Sequence, residues 1–359
     1  MGNKNLNSAA RAKKDEFYTQ LEDIERELAH YQNFFAGKTV LCNCDDPYES
    51  DFFKYFAIYF NQLGLKKLIA TCYAGSPIVQ TELDFWGTPN ENPAFDKRKQ
   101  AIKFEVNEVK DWNGDGYTDL RDVKLLLETN KNVVTYLDGN GDFRSAECVA
   151  ALKEADVVVT NPPFSLFREY VKQLVDFDKK FLIIGNLNCI TYKEIFPLIM
   201  QNKIWLGYKM GRGISGFIVP EYYELYGTEA RISEKGQRIV STNQCLWLTN
   251  LDISKRHEDI FLFRRYKEEP ELFPRYDNYD AIEVSRTAEI PEDYFGAMGV
   301  PITFLDKYNP NQFEILGHTS ANDLSPAVEA LRLDPKNRNR GIINGQQKYD
   351  RILIRRRLA

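Results

Sequence analysis

The sequence predicts an open α/β domain with a mixed, mostly parallel sheet, followed by a second region of different character. Three observations predict it. Short apolar runs recur at Thr39–Cys44, Leu65–Thr71, Val157–Thr160 and Lys180–Gly185, most of them closed by a polar or glycine-bearing corner. Segments with helical spacing, such as Asp51–Leu63 and Ala146–Lys153, alternate with them, which is the order of a doubly wound sheet. The chain of 359 residues is longer than one core usually serves, and beyond Asp252 the strand and helix signals turn irregular, rich in Tyr, Asn and Pro. Regions 1–252 and 253–359 are therefore expected to be separate.

Taken in order, Asp15–Tyr31 has helical periodicity. The first strand, Thr39–Cys44, ends at Asp45-Asp46-Pro47; carboxylates there suit a cationic or hydroxylated ligand, or simply cap the next helix. That helix stops at Gly64. No GxGxxG follows the first strand, so a dinucleotide fingerprint is missing. Residues 75–130 read as an insertion, and 75–100 of it as a loop. Ala101–Val109 is a further expected strand.

In the loop that follows, oxygen side chains fall at positions 1, 3, 5, 9 and 12 and Gly at position 6 of the twelve residues from Asp111 to Asp122, the spacing of a calcium loop. Asp111, Asn113, Asp115 and Asp122 are thus candidate ligands of a structural Ca²⁺. Position 12 is Asp where Glu is usual, and a strand enters the loop, so a metal-free turn capping helix Leu120–Glu128 fits equally. Val133–Leu137, expected as a strand, leads to Asp142 and Phe143. An acid and an aromatic at a strand end suit a purine, the carboxylate accepting from an amino group while the ring packs on the base; a buried Phe in a turn is the plain alternative. Further on, Tyr192–Gln201 reads as a helix and Ile204–Leu206 as a strand. Gln244–Thr249 is a strand expected to pair with Phe217–Val219 at the antiparallel end of the sheet.

The strand Val157–Thr160 delivers Asn161-Pro162-Pro163-Phe164, and this corner carries the chemistry. An exocyclic amine on a purine is a poor nucleophile because its lone pair is delocalised. Two acceptors, each taking one N–H, favour a tetrahedral nitrogen with that pair free. The Asn161 side-chain oxygen can be one acceptor and the Pro162 carbonyl the other. Proline has no N–H and biases its predecessor toward extended backbone, so two in a row hold both acceptors outward. Phe164 offers a flat face for a base. The electrophile would be a methyl sulfonium attacked in line, a reaction that depends on positioning rather than on a metal or a strong base. A plain turn uses the same residue types.

Hydrophobic residues make up 43% of the chain, enough for a real core. No apolar run reaches the roughly 18 residues of a membrane span. The start, Met1 to Leu6, has neither an apolar signal region nor the Ser or Thr of a myristoylation signal. The cysteines, Cys42, Cys44, Cys72, Cys148, Cys189 and Cys245, form no CxxC pair; reduced thiols in a cytoplasmic protein are expected. The net charge is −5, yet from Leu331 to Ala359 nine Lys and Arg face only two Asp. That stretch reads either as a duplex-facing patch or as a solvated tail.

Together these segments resemble the EcoRI-type adenine-specific (N6) DNA methyltransferases. The resemblance runs through Asp15–Thr19 (DEFYT), Cys42–Pro47 (CNCDDP), Gly141–Ser145 (GDFRS), Val158–Phe167 (VVTNPPFSLF), Gly211–Gly213 (GRG), Glu224–Arg231 (ELYGTEAR), Cys245–Asn250 (CLWLTN) and Met298–Phe304 (MGVPITF). It implies a Rossmann-like S-adenosylmethionine-dependent methyltransferase fold over 1–252 and a C-terminal DNA-recognition region over 253–359. It implies S-adenosyl-L-methionine as methyl donor and a flipped-out adenine in double-stranded DNA as acceptor. Asn161, Pro162, Pro163 and Phe164 would form the catalytic loop. Phe17, Tyr18, Thr19, Asp45, Asp46, Pro47, Asp142 and Phe143 would face the cofactor. A restriction–modification setting would add a cognate restriction endonuclease as partner, and a monomer is compatible with all of this. The insertion 75–130 and the basic C-terminal stretch match the family less well. An RNA adenine-N6 methyltransferase and a non-catalytic DNA- or calcium-binding scaffold are the competing readings. The intact tetrad opposes the scaffold.

Overall fold

A computed structural model describes residues 17–44, 50–73, 101–112, 114–129, 134–210, 213–219, 225, 230–234, 236–240, 244–320, 323, 325–334 and 339–358. The expected Asp15 and Glu16, Asp45, Asp46 and Pro47, the whole Pro-rich segment 75–100, Asn113, the GR of the GRG motif and most of Glu224–Arg231 lie outside them. The chain divides into two units, Met1–Ile195 with Lys209–Leu251, and Phe196–Tyr208 with Asp252–Ala359. The second thus includes a segment from inside the expected 1–252 region.

The first unit begins with β1 (Tyr18–Thr19) and helix Leu21–Leu28 rather than one helix from Asp15. Its sheet uses β2 (Thr39–Asn43), β3 (Lys67–Cys72), β4 (Ile102–Val106), β5 (Val134–Tyr136), β6 (Val157–Thr160) and β7 (Lys180–Asn186). Strands β2 and β6 are buried at every residue, as strands covered on both faces must be. β2 runs parallel to β3 on one side and to β6 on the other, and β6 runs parallel to β7. β4 and β5 extend the β3 edge antiparallel. The chain therefore reverses its winding between β2 and β6. In open α/β sheets the crevice beyond the strand ends at such a switch point is where ligands bind.

Helix Asp51–Ile58 joins β2 to β3. It is capped by Ser50 Oγ, which accepts from Phe52 N at 3.2 Å, and buries Phe52, Phe53 and Phe56. Helix Ala146–Glu154 is capped in the same way by Ser145. Near the loop before it, Gly141 sits at φ +77°, where a Cβ would lie 2.2 Å from the Cys72 carbonyl oxygen. Only glycine lets this loop close on the end of β3. All six cysteines are free thiols.

The second unit contains β8 (Trp205–Leu206). Its main sheet is drawn from after Asp252 and is more regular than the sequence foretold. The first unit still has to place β9 (Phe217–Val219), β10 (Arg231–Ile232), β11 (Arg238–Val240) and β12 (Cys245–Thr249); the second adds β13 (Ala281–Glu283), β14 (Ala297–Val300), β15 (Phe313–His318), β16 (Ile342–Ile343), β17 (Gln346–Gln347) and β18 (Ile352–Arg356). β12 lies antiparallel against β7, Leu246 opposite Gly185. β9 does not pair with it, as expected above, but lies antiparallel between β1 and β11 in a small separate sheet. In the second unit β13-β14-β18-β15 form one sheet with β18 internal. Asn344 and Gly345, at φ +50° and +73°, make the left-handed two-residue turn of the β16–β17 hairpin. Of the expected helix Tyr192–Gln201, only Phe196–Met200 is α-helical. No helix among the described residues is long and apolar enough to cross a membrane.

Gly141→Ala should cost about 1–3 kcal/mol from its backbone conformation alone, and more from the contact with Cys72. Gly139→Ala, whose added Cβ would meet nothing nearer than 3.4 Å, should stay close to wild type. Urea unfolding of the two variants checks the difference.

Candidate active site

The Thr160 hydroxyl, at the end of β6, donates to the Asn43 carbonyl at the end of β2. Tyr170 from the helix Phe167–Asp176 donates to the Asn43 side chain. These bonds tie together the two strand ends that flank the switch point. The next residue after Thr160 is Asn161. Its Nδ2 donates to the Phe17 carbonyl at 2.6 Å. Because a carbonyl can only accept, the amide orientation is determined and Oδ1 faces the other way. That Oδ1 is buried and has no hydrogen-bond partner among the described residues. A buried acceptor left unpaired costs on the order of 1–3 kcal/mol, and such atoms call for an explanation. Thr19 Oγ1, two residues along from Phe17, is also buried and lacks a partner among the described residues.

The Leu166 N–H donates to the Pro163 carbonyl at 3.0 Å, closing the turn in which Phe164–Leu166 pass into helix Phe167–Asp176. Phe164 lies against Phe17, with centroids 5.9 Å apart, and against Phe217 of β9 at 6.2 Å. Phe17 and Phe217 are themselves 5.7 Å apart. Three rings from distant parts of the chain thus surround the corner.

What brings Phe17 there is a set of buried polar ties between the N-terminal segment and the loop before β9. Gln20 Nε2 donates to Ser215 Oγ and to the Gly216 carbonyl, both at 2.8 Å. The fully buried Asp23 accepts from Ser215 N at 2.7 Å and Ser215 Oγ at 2.9 Å. Glu27 accepts from Tyr31 Oη at 2.9 Å and from Lys209 N. Burial raises the Asp23 pKa above the usual carboxylate value, against the lowering effect of these bonds.

Asp142 and Phe143 are placed differently. Both Asp142 oxygens are engaged by Arg144, at 2.7 and 2.9 Å, and this pairing holds the carboxyl below its ordinary value. The Phe143 ring is 3% exposed and meets Tyr170 edge-on at 5.0 Å. It packs beneath the strand ends, one residue removed from Asn43.

In the calcium-like loop the described aspartates are engaged by backbone hydrogen bonds, as in the metal-free alternative. Asp111 Oδ1 accepts from the N–H groups of Gly114 at 2.7 Å and Asp115 at 3.2 Å, and its Oδ2 from Gly116 at 2.7 Å. Asp115 accepts from Tyr117 N. The buried Asp122 accepts from Trp112 N and Asp119 N. The carboxylates cap turns and the helix start instead of converging. No cluster of three or more His, Cys, Asp or Glu able to hold a metal occurs among the described residues.

The basic C-terminal stretch is also not a loose tail. Arg351 pairs with the buried Glu283 at 2.6 Å, Arg355 with Glu314 at 2.9 Å, and Arg356 and Arg357 donate to carbonyls of Glu292 and Pro310.

The family model for the adenine-specific methyltransferase EcoRI matches residues 5–357. The chain belongs to the EcoRI adenine-specific methyltransferase family. It is 51% identical over 353 residues to type II methyltransferase M.EcoRI of Escherichia coli, covering 98% of this chain and 96% of that protein. It is 36% identical to type II methyltransferase M.MgeORF184P of Mycoplasma genitalium and 34% identical to type II methyltransferase M.MpnI of Mycoplasma pneumoniae, each over 98% of both chains. No solved structure matches it.

In this methyltransferase, sequence reasoning missed Phe217 and the Asp23–Ser215 tie. The first could have been found only by pairing β9 with β1. The second had a weak signal, two acids on the face of an otherwise amphipathic helix. Since the 111–122 loop satisfies its carboxylates with its own backbone, EDTA should leave the thermal midpoint unchanged. A drop of several degrees that added Ca²⁺ restores would overturn this.

Proposed function

We propose that this methyltransferase moves a methyl group to the N6 amine of an adenine extruded from duplex DNA, as a type II modification enzyme. Family membership implies S-adenosylmethionine as donor, and the residues fit such a ligand: Thr19 presents a buried, unpaired hydroxyl oxygen next to the aromatic Phe17. Bound there, it supplies an electrophilic methyl on a sulfonium. Phe17, Tyr18 and Thr19 would hold it, with Asp45, Asp46 and Pro47 from the end of β2 and Asp142 and Phe143 from the neighbouring loop.

The observation that carries the proposal is the orphaned Asn161 Oδ1. Anchored through Nδ2, it can take one N–H of an incoming amine without first reorienting. The Pro163 carbonyl is already used by Leu166, which leaves Pro162 to take the second N–H. The nitrogen then has its lone pair localised for attack; the new N–C bond would form as the methyl's bond to sulfur breaks, that pair staying on sulfur, and the nitrogen would then give one of its protons to solvent water. Fixing both acceptors before the reaction is the electrostatic preorganisation that lowers such barriers. Phe164, steadied by Phe17 and Phe217, gives the base a face to stack on. The second unit is assigned to reading the DNA sequence, a role its large exposed side chains Phe261 and Tyr349, 83% and 82% exposed, are suited to.

The test is labelled methyl transfer by the pure full-length chain to duplex DNA and to single-stranded RNA, with the modified bases mapped. N6-methyladenine at one recurrent DNA sequence is expected; transfer to RNA alone would replace this reading with its runner-up. Asn161→Ala should lower kcat on the order of 10²–10³-fold with donor affinity retained by calorimetry. Near-normal turnover in that variant would remove Asn161 from the mechanism.

A further inference from the structure

Arg168 stands four residues beyond Phe164, in the first turn of the helix Phe167–Asp176. Its side chain is 56% exposed. The guanidinium lies over the Tyr192 ring, 4.3 Å from the centroid. Its carboxylate neighbour, Glu194, is 3.8 Å from Nε, too far for a hydrogen bond. Arg144, which reaches the same helix, is quite different: it is bound to Asp142 at 2.7 Å and to Glu169 at 2.6 Å. One arginine is consumed by two carboxylates, while the other is held on Tyr192, by stacking and through the tyrosine hydroxyl, with more than half of its side chain exposed and no carboxylate within hydrogen-bond reach.

The position matters as much as the state. Tyr192 follows the turn Leu187–Thr191 at the end of β7, and β7 lies beside β6, Thr160 opposite Ile183. The start of Arg168's helix is pressed on the same edge, since a Cβ on Gly185 would meet the Phe167 ring at 2.7 Å. Arg168 and Tyr192 therefore sit on the strand-end side of the sheet that presents Asn161. Swinging a nucleotide out of a duplex turns it about its flanking phosphates, so these phosphates must lie close to whatever receives the base.

We propose that Arg168, held flat on Tyr192, takes a backbone phosphate flanking the extruded adenosine. A planar guanidinium offers a phosphate paired N–H donors. Stacking on the tyrosine removes in advance part of the rotamer freedom that binding would otherwise cost. The contact carries no base information and serves to register the strand against the catalytic corner.

The inference rests on duplex DNA being the substrate, and the experiment separates the two. Affinity of the full-length chain for a duplex that the wild type methylates is measured across salt concentrations. Arg168→Gln should lower the slope of log affinity against log salt by about 0.9, the loss of one phosphate contact, and weaken methylatable and scrambled duplexes alike. Arg168→Lys should keep the slope. Arg168→Glu, a second variant at this exposed position, should lower it at least as far as Gln. Tyr192→Leu should keep the slope but reduce the fluorescence rise of a 2-aminopurine target on binding. Donor affinity should be unchanged throughout, which shows that the variants are folded. A wild-type slope in both Arg168→Gln and Arg168→Glu overturns the proposal while leaving the DNA reading intact; a wild type that transfers no methyl to duplex DNA overturns both.

Discussion

The bond from Asn161 Nδ2 to the Phe17 carbonyl, 2.6 Å long, decides which way the Asn161 amide faces. An asparagine offers two donors and one acceptor on a freely turning terminal group. Here the donor end is claimed by a backbone carbonyl that no side-chain substitution can change, so the acceptor end is delivered to the corner. The cost is a buried oxygen without a partner among the described residues. Such a cost persists only where surrounding structure holds it in place, and here that structure is the small sheet in which β1 pairs with β9.

That sheet is short: two residues of β1 meet three of β9. Two paired residues would not stay in register unaided. Asp23, Glu27 and Gln20 supply the missing constraint by taking or giving hydrogen bonds to Ser215, Gly216 and Lys209. Asp23 bears a cost for this in its raised pKa. The same ties bring Phe217 against Phe164, so the flat face and the acceptor are positioned by one device. Cys44, at φ +64° just past β2, adds local strain on the other side of the switch point. Both features are of the kind that gathers where a site must be rigid before its ligand arrives.

Much of this was legible in the sequence because it is local. The tetrad, the strand before it and the helix after it follow from a few adjacent residues, and β2, β3, β6, β7 and β12 follow from apolar runs. What is not legible locally is where one pattern serves two purposes. The Asp-x-Asn-x-Asp-Gly spacing places oxygens for a cation, but the same spacing lets an aspartate accept from backbone N–H groups three to five residues on, as Asp111 does. The strand Phe217–Val219 carries no mark of its partner, and pairing it with Cys245–Thr249 was reasonable until β7 proved to take that place. Phe143 can stack on a ligand or fill the core beneath Asn43, and in the structure its ring meets Tyr170 edge-on.

The arginines show why charge counted along a chain differs from charge presented to a partner. Between Leu331 and Ala359 nine cations outnumber two acids, which reads as a patch. In the fold β18 is an internal strand, and acids supplied by other strands meet Arg351, just before it, and Arg355 within it: Glu283 for the first and Glu314 for the second. Arg332, fully buried, is satisfied by Glu329 and lies over Tyr279. Several of these charges are thus complementary to acids elsewhere in the same unit and help hold it together. A phosphate-binding cation has to be identified the other way round, by exposure, a preset orientation and the lack of a carboxylate within hydrogen-bond reach. By that standard a single arginine beside the Asn161 corner counts for more than a row of them in the last strand.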